Sequence, residues 1–181
     1  MPINLNKKYP QLLELMHLPL EARIDSLRKI FMRDIENNNN FRFLQKIIRP
    51  IKNEDGQPAM DTLFQHLTHE SEQVTDDKGR FHKSRNVFEM DRSRRLHWIK
   101  YLTEMQKREN IEVFTVMERN QKDRKDVART YLYDIEQKYV IVFEPHRSNL
   151  DYYLLSAYFL NKSYGEGQIK KKLKQKIPEI L

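Results

Sequence analysis

The chain of 181 residues contains no cysteine, which excludes disulfides, thiolate zinc sites and a cysteine nucleophile. It has four glycines, and none of them sits in a phosphate-cradling loop or a dinucleotide fingerprint, so ATP, GTP and NAD enzymes are disfavoured. No pair of aspartates falls together in the strand-like region, which weighs against a magnesium-dependent nuclease. His66, His69 and His82, taken with Glu70 or Glu72, match none of the usual zinc spacings. Neither a metal nor a cofactor is expected. No apolar run approaches the roughly 20 residues needed to cross a bilayer, and the first eight residues lack the apolar core of a signal peptide. The expectation is a protein that acts in a cytoplasm, without a membrane partner. No internal repeat is present, and low complexity is confined to the four asparagines at positions 37–40.

What the chain does have is positive charge. Thirty-three Lys plus Arg face 26 Asp plus Glu, a net charge of +7, so its field attracts polyanions, nucleic acid first. The competing reading of the same charge is a well-solvated surface. The length suits one domain preceded by a helical extension, with a boundary near residue 40.

Apolar spacing predicts helices over residues 9–17 (Leu12, Leu13, Leu15, Met16) and 20–36 (Leu20, Ile24, Leu27, Ile30, Phe31, Ile35), parted by Pro19 and stopped by the asparagine run. Residues 41–48 are ambiguous between strand and helix. A turn at 53–58 leads into a helix with Met60, Leu63, Phe64 and Leu67 on one side. Residues 73–87 are polar and read as a long surface loop. Residues 88–108 read as the longest helix, with a stripe of Leu96, Ile99, Leu102 and Met105 and a basic outer face that includes Arg92, Arg94 and Arg95. Strands are predicted over 111–118, 129–135, 138–145 and 150–158, and a lysine-rich helix over 168–177. The expected fold is α+β: N-terminal helices, then a long helix packed on a roughly four-stranded antiparallel sheet with a polar working face, then a short C-terminal helix.

The candidate chemistry is a metal-free set of His, Arg, Lys, Ser and Tyr. Such a set suits RNA cleavage, because the substrate's own 2′-OH attacks the phosphate and the protein supplies a base, an acid and cations. His97 is the leading acid–base candidate, with His69 and His66 as rivals. For His97 the competing reading is a helix residue packed beside Trp98. Arg129 and Arg147 could fork onto a phosphate, or serve as ion-pair partners. Ser156 and Tyr158, two apart on one strand, share a face and would set two hydroxyls beside a phosphate or base. Tyr131, Tyr139 and Tyr153 are candidates for stacking on bases, or are half-buried packing residues. Lys170, Lys171, Lys172 and Lys174 would gather RNA electrostatically.

The order and spacing of the strings at 92–99 (RSRRLHWI), 129–133 (RTYLY), 138–145 (KYVIVFEP) and 152–158 (YYLLSAY) resemble the phage and prophage branch of the barnase/EndoU/colicin/RelE-like ribonucleases. The similarity covers roughly residues 41–181. It implies a helix on a four-stranded antiparallel sheet, metal-independent endonucleolytic cleavage of RNA, toxin-like action and an immunity or antitoxin partner. It gives most support to Ser156 and Tyr158, which stand where EndoU-like members have a Thr/Ser-Ala-Tyr element. Two further readings remain open at this point: a non-catalytic nucleic-acid-binding or head-assembly module, and a small domain that docks on a phage structural protein.

Overall fold

The computed structural model describes residues 3–53, 55–56, 58–75, 77–104, 109–120, 124–146 and 148–181, without the side chains of His82 and Lys83. Helix α1 (Leu20–Phe31) runs on as a wider π turn over Met32–Glu36. The asparagines stop it: Asn37 leaves helical geometry, and Asn38 donates its amide to the Asp34 carbonyl at 3.0 Å. A short hairpin follows, β1 (Arg42–Phe43) and β2 (Lys46–Arg49), and then α2 (Met60–Thr68), β3 (His69–Thr75) and β4 (Phe81–Phe88). Two short helices, α3 (Met90–Ser93) and α4 (Trp98–Glu104), precede β5 (Ile111–Asn120), β6 (Lys125–Asp134), β7 (Tyr139–Pro145), β8 (Asp151–Phe159) and α5 (Gly165–Lys174). None of the helices is long and apolar enough to cross a membrane, among the described residues.

The chain is α+β, but the expected four-stranded antiparallel sheet is replaced by a six-stranded mixed one. Its order is β1-β2-β8-β7-β6-β5. Strand β2 lies parallel to β8 and every other pairing is antiparallel. The two extra strands are the ambiguous stretch near residue 45, where Leu44 and Gln45 both take positive φ (48° and 68°) and close a two-residue hairpin. That geometry matches the twist of a hairpin even without the usual Asn-Gly pair.

The long helix expected over residues 88–108 is also overturned. Within its described part, residues 94–97 form a tight turn between α3 and α4, with three-residue hydrogen bonds such as Trp98 N to Arg95 O at 2.9 Å. The cause is tertiary: the Arg94 carbonyl accepts the Leu13 amide at 2.9 Å, and the Arg95 carbonyl faces the Tyr139 hydroxyl at 3.5 Å. The expected helix over 9–17 is instead an irregular stretch between two turns, held where the Asn4 side chain brackets the backbone of Glu14, receiving its amide at 2.7 Å and donating to its carbonyl at 3.3 Å. The expected loop at 73–87 belongs mostly to the β3–β4 hairpin, a separate two-stranded sheet. Its side chains are largely polar and exposed, so no apolar alternation betrays it.

Alternation along β5 to β8 divides the apolar residues between two faces of the large sheet. One face, with Leu132, Ile141, Phe143 and Leu154, packs against Leu27, Ile30, Phe31, Phe64 and Trp98. The other, with Phe114, Tyr131, Val140 and Val142, packs beneath Ile169 and Leu173 of α5. Residues 13–35 thus contribute to the same core as the rest of the chain. Trp98, buried and the single tryptophan, donates its indole N–H to the Gln11 carbonyl at 3.0 Å. Urea unfolding of the full chain should therefore give one transition, coincident by tryptophan emission and far-UV circular dichroism. Deletion of residues 1–40 should red-shift the emission and abolish the cooperative transition.

Candidate active site

The site begins at an incompletely paired strand. Strand β2 accompanies β8 from Asp151 to Tyr153 and then stops. Alongside the remainder of β8, α2 and α3 take the place of a neighbouring strand. A free strand edge exposes carbonyls that need donors, and His66 on α2 supplies one, its Nδ1 lying 3.2 Å from the Leu155 carbonyl.

The C-terminus of α2 presents the same need. Its last carbonyls lack intrahelical donors, and Arg92 of α3 meets them, donating from Nη1 to the His66 carbonyl at 2.6 Å and the His69 carbonyl at 3.1 Å. Arg92 is itself held because Glu89 caps α3, accepting the Asp91 and Arg92 amides at 3.1 and 2.6 Å. The Thr68 carbonyl ties the layers together by accepting the Glu89 amide at 3.0 Å and the Ser93 hydroxyl at 2.9 Å. Ser156 sits within weak hydrogen-bonding range of both parts, 3.5 Å from Arg92 Nη1 and 3.4 Å from the His66 carbonyl. The Tyr158 ring lies 6.0 Å from the Arg92 guanidinium.

A helix cap explains Nη1 of Arg92 but not the rest of the group. Its Nε is buried with no hydrogen-bond partner among the described residues. Arg85 of β4 approaches the same place, donating from Nη1 to the His69 carbonyl at 3.3 Å. Two guanidinium groups thus converge on one carbonyl oxygen. Neither has a carboxylate in ion-pair contact among the described residues. The nearest acid, Glu89, spends both oxygens on the α3 amides. Burial disfavours the charged form of both arginines; at Arg92 the Glu89 and Glu70 carboxylates offset part of this, and at Arg85 the Arg92 charge adds to it.

The two histidines carry the consequence. Burial, then the Arg85 and Arg92 charges, lower the pKa of His66; burial, then Arg92 and Arg85, lower that of His69. Both imidazoles are therefore neutral near pH 7. Their tautomers follow from their partners. The Leu155 carbonyl can only accept, so His66 Nδ1 carries the proton. The Thr68 hydroxyl donates to the Phe64 carbonyl at 2.7 Å, so at 2.8 Å from His69 Nδ1 it accepts. Each ring therefore keeps a lone pair on Nε2, the form a general base requires. Burial, with a contribution from Glu118, pushes the Tyr158 phenol up to about 12, so it stays protonated.

The structure brings together His66, His69, Ser156 and Tyr158 of the sequence candidates. It places His97 elsewhere, in a cleft with Lys8, Tyr9 and Asp34. There both ring nitrogens are buried without a hydrogen bond of good geometry among the described residues. Asp34 and the Gln11 and Lys8 backbone favour its protonated form, but burial outweighs them and depresses its pKa to about 4. Arg129 is paired with Glu144. Tyr131 is buried under α5, with its hydroxyl on Glu118 at 2.7 Å. Tyr139 is buried in the core, and Tyr153 lies edge-on to His146 with 5.4 Å between ring centroids. Lys172 pairs with Glu118 and Lys170 with Glu166, while Lys171 and Lys174 are exposed. Arg147 and the side chain of His82 lie outside the described residues. Among the described residues no group of three or more His, Cys, Asp or Glu side chains is placed to hold a metal ion. Read as sequence, Arg85 has no role and Arg92 stands only on the basic outer face of the helix expected over 88–108, among the residues that would gather RNA.

No protein-family model matches the chain, and neither a curated protein nor a solved structure matches it with significance.

His97 gives a test separate from the site. Its folded-state pKa lies below the ordinary value of 6.5, so the unfolded chain takes up a proton that the fold refuses. The stability involved is fully present above pH 6.5 and is lost progressively as the pH falls towards 4. Between pH 7 and pH 5 the wild type should lose about 2 kcal/mol more, by urea denaturation, than the His97→Leu variant.

Proposed function

We propose that the chain is a metal-independent endoribonuclease whose active site is the His66–His69–Arg85–Arg92 cluster at the open edge of β8. The observation that carries this reading is the convergence of two half-buried guanidinium groups, neither in ion-pair contact with a carboxylate among the described residues, beside two neutral imidazoles. Such a cluster lacks one component, an anion, and the planar forks of arginine suit phosphate oxygens. The resemblance of the C-terminal strings to barnase/EndoU/colicin/RelE-like ribonucleases points the same way, and it carries with it the proposal of a toxin-like role and an immunity or antitoxin partner.

The mechanism follows from the groups present. The scissile phosphodiester docks between Arg85 and Arg92, whose guanidinium groups donate to a non-bridging oxygen while the Ser156 hydroxyl turns to another. The arriving negative charge offsets the repulsion that kept the imidazoles neutral, so one of the two takes up a proton from solvent. The other removes the proton from the 2′-OH through its free Nε2. The 2′ oxygen then bonds to phosphorus, the bond from phosphorus to the 5′ oxygen breaks, and the protonated imidazole gives its proton to the leaving oxygen. The products are a 2′,3′-cyclic phosphate and a 5′-hydroxyl. The guanidinium groups hold the charge that accumulates on the equatorial oxygens.

The direct test is incubation of the purified chain with total and transfer RNA in excess EDTA, followed by analysis of fragment ends. Cyclic phosphate ends should appear, and His66→Ala or His69→Ala should each lower the rate by about 10²- to 10⁴-fold with unchanged circular dichroism. Intact RNA under all conditions would leave only binding or assembly readings for the basic surface.

The pH profile adds a second test. Because burial and two cations hold the histidines below their usual range, the acidic limb of kcat/KM should fall below pH 6.5. Arg85→Ala removes one of the repelling charges and should move that limb upward.

A further inference from the structure

The β3–β4 hairpin stands apart from the large sheet as a two-stranded ribbon and packs chiefly against α2. Its root is part of the catalytic cluster. His69 opens β3, Arg85 lies on β4, and the rings of His69 and Phe88, paired across the strands, meet edge to face at 5.6 Å. The pairing is regular from Thr75 opposite Phe81 to Glu72 opposite Ser84, and a register shift follows between Ser84 and Val87. A bulge of this kind re-aims side chains, and Arg85, within it, donates to the His69 carbonyl.

Because strand side chains alternate, His69, Ser71, Gln73 and Thr75 of β3 share one face of the ribbon with Phe81 and Arg85 of β4. The acids of β3, Glu70 and Glu72, fall on the opposite face, where Glu70 lies 3.8 Å from the Lys162 ammonium. The first face therefore carries the Arg85 cation and no carboxylate among the described side chains. At its far end Phe81 is 72% exposed, the one exposed phenylalanine among the described residues. A ring left in water contributes nothing to the core. Its neighbours on this face, Ser71, Gln73 and Thr75, are exposed and polar, so no apolar patch surrounds it. A lone ring suits stacking on one flat group rather than the docking of an apolar protein surface.

We propose that this face of the hairpin is a track for single-stranded RNA leading away from the scissile phosphate, with Phe81 stacking on a base. The proposal rests on the ribonuclease reading for the place of the scissile phosphate, but the binding it requires is measurable without turnover. Two features select a polyanion as the occupant: the charge of the face is positive, and the face is continuous with the cluster through His69 and Arg85. A cation for the backbone and a ring for a base are the means by which single strands are held. At about 3.4 Å per residue Phe81 stands roughly 14 Å along β4 from Arg85, so the bound strand extends about two or more nucleotides past the scissile phosphate. Unpaired RNA can turn a base onto the ring, whereas a duplex keeps its bases stacked on one another.

The experiment measures fluorescence anisotropy of a labelled 2′-O-methyl RNA octanucleotide, which cannot be cleaved by attack of a 2′-OH, alongside cleavage of unmodified RNA in EDTA. Both use the wild type, Phe81→Ala, Phe81→Trp and, as a control for loss of exposed apolar surface elsewhere, Leu150→Ala, whose side chain is equally exposed between β7 and β8. Phe81→Ala should weaken binding of the single strand about tenfold, Phe81→Trp should restore it, and Leu150→Ala should leave it unchanged. The same oligonucleotide in a duplex should bind without sensitivity to Phe81. No binding by the wild type, or binding that Phe81→Ala leaves unchanged or Leu150→Ala weakens equally, overturns the track even if RNA is cleaved. An equal loss for the duplex overturns its preference for single strands. Phe81-dependent binding without cleavage supports the track and overturns the nuclease. Absence of both binding and cleavage overturns the two together.

Discussion

The unpaired edge of β8 is the constraint on which the rest depends. Beyond Tyr153 the strand has no strand neighbour on that side among the described residues, and helices must supply what a strand would have supplied. His66 donates to the Leu155 carbonyl, and Arg92 closes the end of the helix that carries His66. One imidazole and one guanidinium thereby become structural parts of the sheet margin. Their orientation is set by backbone groups on two rigid elements rather than by a loop, the kind of placement that catalytic geometry demands.

The same solution creates a local electrostatic conflict. Arg92 and Arg85 are partly withdrawn from water and share one carbonyl acceptor, and among the described residues neither is in ion-pair contact with a carboxylate. In a purely structural role an acidic residue would relieve the repulsion, because an unpaired buried charge is among the costliest features a fold can keep. Here the acid in position, Glu89, is turned to the α3 amides instead. The cost is tolerable because the rest of the core is well filled, with Trp98, Tyr139, Phe143 and Tyr152 fully buried. On the proposed reading, a phosphate arriving at the cluster would remove the conflict and turn that cost into affinity for the ligand.

Strands β5 to β8, α1, α2 and α5 were legible, because each carries apolar residues at its own period and is bounded by turn formers. The failures have particular causes. The β3–β4 hairpin is polar on both faces and leaves no alternation to read. The break at residues 94–97 arises from contacts with Leu13 and Tyr139, far away in sequence, and local propensity contains no trace of it. His66, His69, Ser156 and Tyr158 could be named as chemically suitable, but their assembly depends on β2 stopping at Arg49, a length that pattern alone does not set. His97 shows the converse error: an imidazole beside a basic run looks reactive in sequence, yet the N-terminal segment buries it.

The expectation of a polar working face on the sheet fails for a reason that also explains where the site is. Both faces are covered, one by the N-terminal helices with α2 and α4, the other by α5. Tyr131 and Tyr139 are consequently packing residues rather than platforms for bases. Once both faces are sealed, strand-held polar groups can meet solvent only at an edge. The outer edge of β5 receives the C-terminal segment, with Ile177 donating to Thr115 and Leu181 reaching the hydroxyls of Thr115 and Thr130. The edge of β8 is the place where backbone rigidity and concentrated positive charge coincide.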